Sequence, residues 1–101
     1  MKIKLFCNAG MSTSMLVTKM QGAAKERGLD VSIVAYPQAS IISETDDCDV
    51  ALLGPQIRFM LNEAKEICEP KGVPVGVINM QDYGLMKGEK VLDDALKMLD
   101  K

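Results

Sequence analysis

One stretch of this chain gathers side chains that can do chemistry: Cys7-Asn8-Ala9-Gly10-Met11-Ser12-Thr13-Ser14. A cysteine brings a sulfur nucleophile, strongest as the thiolate. The small residues Ala9 and Gly10 let the backbone turn its N–H groups inward, and Ser12, Thr13 and Ser14 add hydroxyl donors. If a helix starts here, its first N–H groups have no intrahelical acceptor and its dipole favours negative charge. The arrangement suits an anion, and the donors that cradle an anion also stabilise a thiolate. Cys7 is therefore expected to be a nucleophile at neutral pH. Ser12 also fits as a helix cap, a role compatible with anion binding. A lone cysteine at a strand end is more simply a small packing residue; what marks Cys7 is its company.

The rest of the composition narrows the chemistry. There is no histidine, so a Ser-His-Asp or Cys-His couple, a histidine metal cluster and a phosphorylated histidine are all excluded. Cysteines 7, 48 and 68 are odd in number and widely spaced, a poor disulfide framework that fits a reducing cytosol. Neither a structural zinc site nor a cofactor is expected. Lys and Arg total 12 against 14 Asp and Glu, with no basic run, so nucleic acid is not an expected partner. The longest apolar stretches fall far short of a membrane span, and residues 1–7 lack a sustained apolar region. The expectation is a soluble cytoplasmic protein.

The elements that must position Cys7 follow from hydrophobic period. With 101 residues, 48% of them apolar, residues 1–101 are expected to form one domain with a single core. Residues 3–7 read as a strand stopped by Asn-Ala-Gly. Met15, Leu16, Met20, Ala23 and Ala24 then recur at helical spacing up to Gly28. A second strand spans 31–36 and is ended by Pro37; residues 38–45 form a weaker helix or turn anchored by Ile41 and Ile42. A third strand covers 49–53. After Gly54-Pro55, one helix carries Ile57, Met60, Leu61, Ala64, Ile67 and Cys68 on a stripe, stopping before Pro70. A fourth strand at 73–78 leads into an irregular segment through Asp82-Tyr83-Gly84. The last helix runs from about Glu89, with Val91, Leu92, Ala95, Leu96, Met98 and Leu99 inward. This alternation predicts an α/β fold: a four-stranded parallel sheet of order 2-1-3-4 with helices on both faces, flavodoxin-like and phosphatase-like. Cys7 then lies at the carboxyl edge of the sheet, where such folds bind ligands.

Leu5 to Ser14, Leu52-Leu53-Gly54-Pro55-Gln56 and Tyr83-Gly84 together closely resemble the enzyme IIB components of the lactose, cellobiose and chitobiose class of sugar phosphotransferase systems. The resemblance covers the chain's length and order of elements. It implies a phosphotransferase in sugar transport in which Cys7 is the phosphorylated residue and Asn8, Ala9, Gly10, Met11, Ser12, Thr13 and Ser14 form its phosphate loop. It further implies a phosphohistidine donor on a IIA protein and a disaccharide acceptor held by the membrane-embedded IIC transporter. Such carriers are expected to act as monomers in transient complexes. The acceptor sugar would bind the transporter, so exposure of the Cys7 sulfur matters more here than a deep pocket.

Two other chemistries compete. A low-molecular-weight tyrosine phosphatase has a similar cysteine loop, but its Cys-x5-Arg motif places arginine where this chain has Thr13. Loss of that bidentate donor predicts poor hydrolysis. A thiol redox protein would need a resolving cysteine near Cys7, whereas Cys48 and Cys68 fall at a strand start and on an inward helix stripe. A receiver-like domain is discounted because the first strand ends in Cys7-Asn8 rather than in acidic residues. Gln56 and Tyr83 are candidate contacts on the active face, although helix punctuation and packing explain them as well. Most of the eight methionines are expected in the core, with Met11 as the exception.

Overall fold

In the computed structural model, residues 1–8 and 11–99 are described, without the side chains of Met11 and Ser12. Four parallel strands, β1 (Lys2–Cys7), β2 (Ser32–Pro37), β3 (Val50–Leu53) and β4 (Val75–Val77), lie in the order β2-β1-β3-β4. This is the flavodoxin-like order expected from the sequence. β1 and β3 are central, which is why Ile3 to Cys7 and all of β3 are buried while the edge strands are only partly so. Pro37 is tolerated because it ends an edge strand.

The sheet divides the expected single core into two layers. Alternate residues of β1 and β3 point opposite ways. Ile3, Leu5, Val50 and Leu52 meet helix α1 (Met11–Glu26) and the C-terminal helix on one face. Phe6, Ala51 and Leu53 meet the short α2 (Ile41–Glu44) and α3 (Leu61–Cys68) on the other. α1 closes as foreseen at Gly28, whose φ of 68° suits glycine, with Leu29 N–H donating to the Ala24 carbonyl at 2.9 Å.

Several local expectations are corrected. Residues 79–87 are not wholly irregular: they contain α4 (Met80–Gly84), whose cap Asn79 accepts through Oδ1 from the N–H groups of Gln81 (2.8 Å) and Asp82 (3.1 Å). The helix after Gly54 is broken. A 3-10 segment, Pro55–Met60, precedes α3, and Ile57 within that segment departs from helical geometry. Ile42 is exposed because one four-residue turn can turn only Ile41 inward. Met15 is also exposed, since the stripe of α1 is set by Thr13, Leu16, Val17, Met20, Ala23 and Ala24 and leaves Met15 on the far side. The methionines divide: among described side chains Met20 is fully buried and Met60, Met86 and Met98 pack partly buried against the core, as expected, while Met1, Met15 and Met80 are exposed. The final helix, α5 (Gly88–Leu99), lies against α1 with Val91, Leu92 and Ala95 buried and Leu96, Met98 and Leu99 partly so.

A buried lysine went unforeseen. Lys4 sits on central β1, yet its Nζ reaches the Glu44 carbonyl at 2.9 Å and the Glu44 carboxylate at 3.1 Å, and lies 5.3 Å from the centroid of the Tyr36 ring. These contacts offset the cost of removing the ammonium from water.

Candidate active site

Parallel pairing brings three strand ends to one edge. Phe6 aligns with Leu53, and Leu53 with Val77, so the residues after each strand are neighbours. Two backbone bonds continue the alignment past the strands: Gly54 N–H donates to the Phe6 carbonyl at 2.8 Å and Ile78 N–H to the Leu53 carbonyl at 2.9 Å. Cys7, Gly54 and the Asn79-capped α4 therefore share this edge, and α1 begins four residues after Cys7.

Cys7 ends β1 on the face covered by α1, and 2% of its surface is exposed. The exposed sulfur expected of a carrier is thus not the arrangement in this conformation. A central strand end is enclosed by what flanks it: Pro37 is its register partner on one side, and Gly54 lies on the other. Gly54 matters by having no side chain. A Cβ there would stand 3.4 Å from the Cys7 Cβ and 3.0 Å from Gln56 Oε1. The exposed Gln56 thus carries its amide to Gly54, beside Cys7.

Of the candidate phosphate loop, Ala9 and Gly10 lie outside the described residues, as do the side chains of Met11 and Ser12. Asn8 is exposed. Ser14 is also exposed, and its carbonyl accepts from Thr18 Oγ1 at 3.1 Å. Thr13 differs from both: only 1% of it is exposed, and its hydroxyl lies 3.1 Å from the hydroxyl of Tyr83. Tyr83 is buried in the layer between the sheet and α1. No sequence signal joins two residues 70 positions apart, whereas the Asn79 cap that places Tyr83 was readable in Asn-Met-Gln-Asp.

The other two thiols lie elsewhere. Cys48 precedes the amino end of β3, where its Sγ donates to the Val50 carbonyl at 3.1 Å. Burial pushes its thiol up to about 11, against a smaller opposing pull from Lys4. Cys68 closes α3, and burial raises its thiol as well. Both are poorer thiolate sources at neutral pH than an ordinary cysteine. No disulfide joins the three. Among the described residues no group of His, Cys, Asp or Glu is placed to hold a metal, and no helix is long and apolar enough to cross a membrane. A cleft of about 430 Å³ between α1 and the start of α5 is lined by Lys19, Met86, Gly88 and Asp93 among others, and by no residue of the Cys7 edge.

Residues 2–94 match the family described as PTS system, Lactose/Cellobiose specific IIB subunit. This chain belongs to that family. IIB components are phosphotransferases of sugar uptake and work with IIA and IIC partners. The galactose-specific EIIB component of Lactococcus lactis subsp. cremoris is 48% identical over 103 residues, covering 97% of this chain and 95% of that protein. The cellobiose-specific EIIB component of Lactococcus lactis subsp. lactis shows the same identity and the same coverage. Two relatives equally similar to this IIB component carry different sugar names, so overall identity does not select a sugar. Among solved structures, the cellobiose-specific phosphotransferase IIB component of Borrelia burgdorferi is similar with a TM-score of 0.82 and 44% identity, covering 99% of this chain and 92% of that one.

Proposed function

We propose that this IIB component is a cytoplasmic phosphocysteine carrier acting through Cys7. The observation that carries the reading is the placement of Cys7 at the carboxyl edge of the sheet, four residues before the 16-residue helix α1. The Cys7 thiolate attacks the phosphorus of a phosphohistidine on the IIA protein. The S–P bond forms as the P–N bond breaks, and the departing imidazole nitrogen keeps the electron pair. A hydroxyl of a disaccharide held by the IIC transporter then attacks the same phosphorus, loses its proton, and releases Cys7 as thiolate. The first N–H groups of α1 and the loop of residues 8–14 stabilise the charge gathered on the phosphoryl oxygens. Because Cys7 is buried between partner encounters, each transfer requires local opening at this edge. Gln56, exposed beside Cys7, is placed to contact the partner or the phosphoryl group, and the carrier acts as a monomer in transient complexes.

Incubation with a IIA donor charged from phosphoenolpyruvate, followed by mass measurement of the peptide containing Cys7, tests the reading. Phosphate is expected on Cys7 alone. Cys48→Ala and Cys68→Ala are expected to transfer normally, and Cys7→Ser to transfer none, because a serine hydroxyl ionises far less readily than a thiol. Full phosphorylation of Cys7→Ser, or phosphate on Cys48 or Cys68, would overturn the assignment.

A further inference from the structure

The buried pairing of Thr13 with Tyr83 ties the head of α1 to the segment that follows β4. We infer that Tyr83 is a positioning residue for phosphoryl transfer, holding the first turn of α1 in place through the Thr13 hydroxyl. The inference rests on the reading of Cys7 as phosphoryl acceptor. Thr13 is the third residue of α1, so its N–H belongs to the first-turn donors that no helical carbonyl satisfies. Those donors stabilise developing charge only if their direction is set before the phosphoryl group arrives. Thr13 is β-branched and stiff about its first side-chain bond, so fixing its hydroxyl also fixes the backbone that carries it.

Tyr83 is suited to be the fixed partner. Its ring is buried in the layer between the sheet and α1, and its backbone N–H donates to the Asn79 carbonyl at 2.9 Å within a capped helix. Its hydroxyl therefore stands on a rigid base. Of the two hydroxyls the phenol is the better hydrogen-bond donor. When Tyr83 donates, the Thr13 proton is left for another acceptor, and a phosphoryl group on Cys7 brings oxygens to the head of the same helix. A residue from the β4–α5 connection thus sets the geometry of the first turn of α1.

The test uses the intact chain with its phosphorylated IIA donor and compares wild type, Tyr83→Phe, Thr13→Val and the double variant. Each single variant is expected to lower the maximal rate of phosphoryl transfer to Cys7 by roughly tenfold or more while leaving the half-saturating donor concentration unchanged. Each is also expected to move the phosphorus NMR resonance of the phosphocysteine. The double variant is expected to be no slower than the slower single, because both remove the same hydrogen bond. A merely structural role would lower the melting temperature and leave the resonance of the folded protein where it is in wild type. If Tyr83→Phe does not fold, Thr13→Val decides by the same readings. A wild type that takes phosphate on Cys7 beside a Tyr83→Phe variant of wild-type rate and resonance would overturn the inference alone, as would a double variant slowed by the product of the single effects. A wild type that takes none on Cys7 would overturn the carrier reading and the inference with it.

Discussion

Gly88→Ala offers a sharp test of how α5 is held against α1. Gly88 is the first residue of α5 and is buried against the middle of α1. A methyl group there would stand 2.6 Å from both the carbonyl carbon and the Cβ of Lys19, and 2.7 Å from the Met20 nitrogen. Ordinary carbon contacts lie at about 3.5–4.0 Å, so the two helices must separate by about 1 Å at this point. The clashing atoms belong to a helical backbone or are fixed directly to it, so no rotamer change relieves them. Overpacking of this kind costs about 1–3 kcal/mol. Alanine's better helix propensity recovers at most about 1 kcal/mol in a helix interior, and less at a first position. The net expectation is a loss of about 2 kcal/mol. In urea this moves the unfolding midpoint down by roughly 1–2 M at unchanged slope. In a thermal melt it lowers the midpoint by about 8–16 °C. Gly22→Ala is the internal control, because an added Cβ at Gly22, inside α1, meets nothing within 4 Å. That variant is expected to gain up to about 1 kcal/mol from propensity alone. Equal effects of the two substitutions, or a Gly88→Ala protein within about 0.5 kcal/mol of wild type, would refute the close-packing argument.

Three further expectations follow from the same structure. Burial pushes the folded Cys48 thiol up from the ordinary 9.0 to about 11, so the unfolded chain loses this proton first as pH rises. Its contribution to stability is therefore complete below pH 9.0 and is lost as pH approaches about 11. Cys68 acts in the same direction, and urea midpoints at neutral and alkaline pH should fall less for Cys48→Ala than for wild type. Thr13→Arg is expected to lose about 3 kcal/mol or more, because a site 1% exposed offers a guanidinium neither water nor a counter-charge. Neither that variant nor wild type is expected to hydrolyse aryl phosphates, and steady Cys7-dependent hydrolysis would favour the phosphatase alternative. Phosphorylation of Cys7 is expected to shift the backbone amide resonances of Asn8 and Thr13 most, Gly54 and Tyr83 less, and those of α5 hardly at all; largest shifts in α5 would contradict the cradle at the head of α1.

Strand order, the two-sided helical covering and the place of Cys7 were legible because they rest on local patterns. Short apolar runs, stripes at helical spacing and Gly28, Pro37 and Gly54-Pro55 as punctuation act over a few residues, and α/β alternation leaves few topologies. The cap at Asn79 is equally local, but the five-residue helix it starts is too short to show a period. Ile42 and Met15 could not be placed by type alone: an apolar side chain is drawn inward only if its face meets a partner, and the partner is a tertiary fact. What the chain order could not carry was adjacency across the sheet. The Lys4–Glu44 contact, the Gln56 amide beside Gly54 and Cys7, and the Thr13–Tyr83 bond join residues on different elements. A hydroxyl in the first turn of a helix reads from sequence as a donor to solvent or ligand. Only the packed structure turned Thr13 inward, because Tyr83 on the α4 turn occupies the space behind α1 and supplies the buried partner that its hydroxyl requires.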